Sequence, residues 1–310
     1  MNIATLTQQL HTLSDFIRWG ASRFNEAGLF FGHGTNNAVD EAMTLVLHTL
    51  HLPQHNLPTE LFSSQLTEVE KRQVLTLIEH RIKERIPAPY LTHEAWFADL
   101  SFYVDERVLI PRSPIAELIK NRFDSLIDPE QVRTLLDLGT GSGCIAIAAA
   151  YAFPESQVDA VDIHESALAV AQINIQHHGL ESRVQAMPSN LFERLNNRFY
   201  DLILSNPPYV SAEELATLPQ EYHHEPRQAL EADKNGLDIV LQILHQASEY
   251  LHDQGILIVE VGNSEDILIQ TLPEIPFTWL AFEHGGHGVF LLTREQLIHY
   301  KEIIKKALKT

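Results

Sequence analysis

The passage from 134 to 151 constrains the chain most. Thr134-Leu135-Leu136-Asp137-Leu138 is a short apolar run, Gly139-Thr140-Gly141-Ser142-Gly143 follows, and 144–151 is a helical apolar stretch. An apolar run closed by glycines reads as a buried strand of a parallel sheet. Glycines permit positive φ and let backbone approach a ligand closely. The spacing is D-x-G-x-G-x-G, with Cys144 where the dinucleotide fingerprint G-x-G-x-x-G would want its last glycine. A second strand, 158–161, ends on Asp162. A carboxylate about 20 residues beyond such a loop can accept both hydroxyls of a ribose. The alternative is that Asp162 merely precedes the helix starting near Glu165.

The rest of this half alternates. Helices are expected at 115–123, 166–178 (stopped by Gly179), 237–251 and 265–272, and strands at 183–187, 199–204, 256–261 (opened by Gly255), 277–282 and 289–292. That order predicts a doubly wound, mostly parallel α/β sheet. The third strand runs into Ser189-Asn190-Leu191-Phe192, where Asn190 either meets an adenine amine at the sheet edge or simply forms a turn. The fourth ends in Asn206-Pro207-Pro208-Tyr209, beyond the carboxyl end of a strand, where open α/β sheets bind ligands. Two prolines can neither continue a helix nor pair in a central strand. They make a rigid turn that aims one Asn and one Tyr. A turn without chemistry is the alternative, and the glycine loop upstream weighs against it.

Residues 1–88 read as a helical bundle. Leu6, Leu10, Leu13 and Ile17 share a helical spacing, 40–52 repeats it, and 67–86 opens with Thr67-Glu68-Val69-Glu70. Between the first two helices, Arg18 to Phe24 and Phe30 to Thr35 read as an ordered loop, serving either core packing or substrate reading. Pro87 and Pro89 close the bundle. A β-hairpin linker spans 89–110, built on Trp96-Phe97 and 100–104, and the α/β domain spans 111–310. The basic helix at 296–308 reads as a solvated face.

Composition bounds the function. The chain has 310 residues and a formal charge of -19, which repels phosphate backbones and suits a basic partner, or simply aids solubility. The single cysteine, Cys144, excludes an internal disulfide and reads as packing. No apolar run reaches the length of a membrane span, and the N-terminal stretch lacks a signal-peptide pattern. A soluble, cytoplasmic protein is expected. Of 17 histidines, His48, His51 and His55 are near helical spacing, but Pro53 interrupts them. Without a Cys cluster or H-E-x-x-H, no metal site is expected.

The glycine loop resembles the S-adenosylmethionine loop of Rossmann-like methyltransferases. Nearly the whole chain resembles the protein-(glutamine-N5) methyltransferases, through Val108-Leu109-Ile110-Pro111-Arg112, DLGTGSG at 137–143, Asp162, NPPY at 206–209, EPRQAL at 225–230 with Gly236-Leu237, and EVG at 260–262. Within them, 16–42 is similar to the branch that modifies the third protein of the large ribosomal subunit. The resemblance implies a class I methyltransferase sheet, with a cofactor site at Asp137, Gly139, Thr140, Gly141, Ser142, Gly143, Asp162, Asn190, Leu191 and Asn206. Two residues depart from the family: Asn190 stands where Asp is common, and Leu191 stands where the release-factor branch has Trp.

The resemblance also implies catalysis by Asn206, Pro207 and Tyr209. The Asn206 side-chain oxygen and the Pro207 carbonyl would accept the two hydrogens of a glutamine amide, and Tyr209 would pack against its flat face. The implied partner is a basic ribosomal protein, met before or during ribosome assembly, with no direct nucleic-acid or membrane contact. The competing readings are the same chemistry on peptide-release factors, methylation of adenine in DNA (disfavoured by the charge), and a non-catalytic assembly factor for which an intact NPPY would be needless.

Overall fold

The structure, a computed structural model, describes residues 3–54 and 56–309; His55 of the histidine series lies outside them. The chain forms two compact units, one running through Glu94 and including Pro219–His224, the other comprising Ala95–Leu218 and Glu225–Thr310.

The first unit is helical: Ile3–Gln9, Leu13–Glu26, Ala38–Thr49, Glu68–Glu84 and Ala88–Thr92. The single first helix expected from Leu6 to Ile17 is two helices. Thr12 ends the continuity by forming a capping box with Asp15, its Oγ1 accepting the Asp15 N–H at 3.2 Å while the carboxylate accepts the Thr12 N–H at 2.9 Å. Residues 18–24 are not loop but the body of the second helix. Gly20 is a contact point there, since a Cβ would come within 3.0 Å of Ile78 and 3.3 Å of Ala42. The loop that does exist, around Phe30 to Thr35, is ordered by buried charge. Arg81, fully buried, donates to Glu41 at 2.8 Å, to Glu221 at 3.3 Å and to the Phe30 carbonyl at 3.0 Å. Glu221 also accepts the Phe30 N–H at 3.0 Å, and Thr35 donates to Glu41 at 3.1 Å.

The second unit opens with the hairpin β1 (Glu94–Phe97) and β2 (Leu100–Tyr103), joined by Ala98 and Asp99. Both turn residues have positive φ, as a two-residue type I′ turn requires. The main sheet holds β3 (Thr134–Leu138), β4 (Gln157–Asp162), β5 (Val184–Pro188), β6 (Tyr200–Ser205), β7 (Leu251–Glu260), β8 (Thr278–Trp279) and β9 (Val289–Thr293), in the order β5-β4-β3-β6-β7-β9-β8. The five strands from β5 to β7 are parallel, and β9 runs antiparallel to both its neighbours. Apolar side chains pack on both faces, with Ile147 and Phe153 in one cluster and Val240, Leu244 and Phe290 in another. That is why the central strands read as continuous apolar runs rather than alternating ones.

Two further expectations change. β7 begins at Leu251, so Gly255 lies inside it rather than before it. The register shifts between Tyr200 and Leu202 on the neighbouring strand, and a Cβ on Gly255 would come within 2.8 Å of the Tyr200 carbonyl; the glycine admits the irregularity. The C-terminal segment is two helices, Arg294–His299 and Lys301–Lys309, and is not simply a solvated face. Ile304 is fully buried, and Ile303, Ala307 and Leu308 lie against the core.

Replacing Arg81 by Met leaves Glu41 buried without its cation and Glu221 with Arg85 alone, at 3.1 Å. The expected cost is about 3–5 kcal/mol, read as a lower denaturation midpoint of the full chain. An unchanged midpoint would show that the cluster contributes nothing to stability.

Candidate active site

The order of the strands places the site. The chain moves outward from β3 through β4 to β5, then returns to the other side of β3 with β6, so the direction of winding reverses between β3 and β6. Leu138, the last residue of β3, pairs with Ser205, the last of β6, and the Ser205 hydroxyl donates to the Leu138 carbonyl at 2.8 Å. The glycine loop and the Asn206-Pro207-Pro208-Tyr209 turn therefore leave the sheet side by side at its carboxyl edge, the position where open α/β sheets bind ligands. A cleft of about 220 Å³, open to solvent, lies there.

Gly139 and Gly141 hold φ of +73° and +53°, and a Cβ on either would meet no protein atom within 4 Å. Their backbone faces room that a ligand can take. The N–H groups of Gly139 and Thr140 both donate to the Val161 carbonyl at 2.9 Å, anchoring the loop on β4. Asp162 extends the anchor: one carboxylate oxygen accepts the Gly141 N–H at 3.0 Å and the other the His164 N–H at 2.9 Å. Each of these oxygens keeps a lone pair for a further donor. Both Asp162 and the loop residues Gly139, Thr140, Gly141 and Ser142 line the cleft.

Asp137 and Gly143 do not line it. Asp137 is buried beneath the loop, where one oxygen accepts from Thr140 Oγ1 at 2.6 Å and from the Ala146 N–H at 3.2 Å, while its other oxygen has no hydrogen-bond partner. Burial pushes its pKa up to about 7. Gly143 lets the following helix pack closely, since a Cβ would sit 3.3 Å from Ala171. Cys144 borders the cleft, but burial pushes its thiol up to about 12, so it stays protonated at neutral pH.

Asn190 and Leu191 line the far side, beyond β5. The Asn190 amide nitrogen donates to Glu193 at 2.9 Å, which leaves its oxygen as the acceptor for an incoming amine. Asn206, Pro207 and Pro208 line the near side, whereas Tyr209 does not; its hydroxyl donates to Glu260 at 2.9 Å.

Sequence reasoning left several wall residues without a role. Arg112 binds Glu225 through two hydrogen bonds, at 2.6 and 3.0 Å, and donates to the Ile110 carbonyl at 3.1 Å. This pair joins VLIPR to EPRQAL, placing Arg112 together with Pro226 and Gln228 in the cleft wall. Reading those two motifs as charge partners was the available signal. Asn174, fully buried, ties the hairpin to the loop by donating to the Tyr103 carbonyl at 3.0 Å and the Ser142 carbonyl at 2.8 Å; nothing in its sequence neighbourhood marks it. Among the described residues, no three His, Cys, Asp or Glu side chains group so as to hold a metal, and no helix is long and apolar enough to cross a membrane.

Comparison with known proteins gives the following. A family model, the methyltransferase small domain, matches residues 119–233. The ribosomal protein uL3 glutamine methyltransferase of Neisseria gonorrhoeae is 53% identical over 292 residues, covering 94% of this chain and 97% of that protein. Its namesake from Neisseria meningitidis serogroup A is also 53% identical over 292 residues, covering 94% of this chain and 96% of that protein. Among solved structures, a Thermus thermophilus 16S rRNA N2 G1207 methyltransferase in complex with AdoMet and guanosine is 18% identical at a TM-score of 0.45; the match covers 64% of this chain and about half, 49%, of that one.

The environment of Asp137 makes a pH-dependent prediction. Its carboxyl is protonated to about pH 7 in the fold but only to about its ordinary 3.8 when unfolded. The unfolded chain thus binds fewer protons across that window, and this group's contribution to stability falls as pH rises through it. Asp137→Asn, neutral throughout, should have no advantage near pH 4, a growing one towards pH 7 and a constant one above. Melting temperatures of both proteins across this range test it; a difference independent of pH would contradict it.

Proposed function

The chain belongs to the family of ribosomal protein uL3 glutamine methyltransferases, and we propose that it methylates the side-chain amide nitrogen of a glutamine in that large-subunit ribosomal protein, at the cleft between β3 and β6. The observation that carries this reading is the pairing of the two strand ends, which brings the glycine loop and the Asn206-Pro207 turn into the lining of one cleft.

S-adenosylmethionine, when bound, supplies a methyl group already activated on a sulfonium. The residues present fit it: Gly139 and Gly141 leave open space beside their backbone, Asp162 keeps acceptor capacity for the ribose, and Asn190 and Leu191 offer an acceptor and an apolar surface to the adenine. Asp137 acts from below, holding Thr140 and the helix start in place.

An amide nitrogen is a poor nucleophile because its lone pair is delocalised into the carbonyl. The Asn206 side-chain oxygen would accept one N–H and the Pro207 carbonyl the other. Both hydrogens would then be pinned, leaving the lone pair turned towards the methyl that the cofactor would supply. These acceptors also favour the positive charge that grows on nitrogen in the transition state. The Pro-Pro turn keeps them from relaxing, and Tyr209, which does not line the cleft and so is not placed to flank the amide, anchors the turn through its hydroxyl on Glu260. The helical unit would recognise the substrate. A charge of -19 suits a basic ribosomal protein before or during assembly, ahead of its encounter with RNA.

The test is transfer of labelled methyl to isolated uL3, release factors and duplex DNA, with mass spectrometry of the product. Label on one uL3 glutamine is expected. Label on release factor alone would keep the chemistry and overturn the substrate, and label on DNA alone would overturn both. Asn206→Ala should lower kcat by about 10²–10³ with cofactor affinity unchanged by calorimetry; normal turnover would remove Asn206 from the mechanism. Asp162→Ala should weaken cofactor binding, and an unchanged Kd would place the ribose elsewhere.

A further inference from the structure

Glu260 ends β7, the strand beside β6, and its side chain is almost wholly buried without meeting the cleft. A carboxylate in that position needs partners, and it has two hydroxyls. One oxygen accepts from Tyr209 at 2.9 Å and the other from Ser113 at 2.5 Å; the Ser113 oxygen in turn accepts the Ile115 N–H at 3.2 Å. Ser113 lines the cleft beside Arg112, so Glu260 bridges the NPPY turn and the VLIPR wall from behind.

Two glycines and Ser264 also approach Tyr209 closely. Gly262 has φ +46°, and a Cβ there would lie 2.6 Å from the tyrosine ring. A Cβ on Gly236 would lie 2.1 Å from the Tyr209 carbonyl, which accepts from Ser264 at 2.9 Å. The next residue, Val210, is bridged to the 230–232 backbone, its N–H donating to Leu230 and its carbonyl accepting from Ala232, both at 2.9 Å. With the backbone held at Tyr209 and Val210, the hydroxyl contact to Glu260 fixes the remaining freedom, the swing of the ring.

We propose that Glu260 is a positioning residue for methyl transfer: by accepting the Tyr209 and Ser113 hydroxyls it sets the pitch of the Asn206-Pro207-Pro208-Tyr209 turn, and with it the direction of the two acceptors offered to the substrate amide. It touches neither cofactor nor substrate. This inference rests on the proposed role of that turn. It also explains why EVG accompanies NPPY in one chain: the glutamate holds the tyrosine hydroxyl, and the glycine two residues on leaves room for the ring.

The test is a double-mutant cycle of Glu260→Leu and Tyr209→Phe, with Glu260→Gln as the conservative variant. It is read on whichever acceptor the unsubstituted enzyme methylates, so that a wrong substrate assignment leaves the cycle intact. Tyr209→Phe should lower kcat about tenfold, the loss of one well-aligned buried hydrogen bond, and Glu260→Leu at least as much, since it also releases Ser113, while the KM and Kd for S-adenosylmethionine stay unchanged. The double variant should be no worse than the poorer single one. Glu260→Gln, which keeps an acceptor for Tyr209, should recover most of the rate. Additive losses, a normal kcat in Tyr209→Phe, or Glu260→Gln as slow as Tyr209→Phe would each overturn the proposal. Should Glu260→Leu fail to fold, Tyr209→Phe and Glu260→Gln decide it alone.

Discussion

The pairing of β3 with β6 is the contact on which the site depends. It joins two strands far apart in sequence, aligns their last residues, and is sealed by the Ser205 hydroxyl on the Leu138 carbonyl. The groups proposed to meet cofactor and substrate hang from these two ends and from the ends of β4 and β5. A slip of either strand by one residue would turn its side chains to the other face and put the glycine loop and the NPPY turn out of step. The apolar packing on both faces of the sheet fixes that register more firmly than any contact within the cleft does.

Around this seam the chain keeps polar groups buried where they brace backbone. Asp137 supports the glycine loop from below, Asn174 ties it to the hairpin, Glu225 holds Arg112, and Glu260 holds Tyr209 and Ser113. Each has its charge or amide taken up by a neighbour that bounds or underlies the cleft. Burial is costly for Asp137 and Glu260, raising the pKa of both. Such strain is tolerable in a sheet with so large an apolar core, and rigidity is what a reaction limited by positioning requires.

How much of this was legible varied with the range of the interaction. Strand identity follows from local apolar runs and glycine stops, so a doubly wound, mostly parallel sheet was readable from sequence, whereas the order of the strands came only with the structure. The glycine loop, Asp162, Asn190 and Asn206 were singled out because each lies just past a strand, and Leu191 through the family resemblance. What escaped was long-range: the Arg112–Glu225 pair spans two motifs 113 residues apart, and Asn174 works through a hairpin 71 residues away. Gly20 misled because a glycine beside aromatics reads as loop, whereas here it admits close packing of helices. Thr12 was missed because its cap interrupts a helical spacing that continues on both sides.

The decisive measurement is a crystal structure with S-adenosylhomocysteine and a glutamine-containing uL3 peptide. The thioether is expected in the cleft between β3 and β6, with the glutamine amide nitrogen in hydrogen-bond reach of both the Asn206 side-chain oxygen and the Pro207 carbonyl and in line with the sulfur. An amide held by other groups, or a cofactor seated away from the glycine loop, would contradict the proposed mechanism.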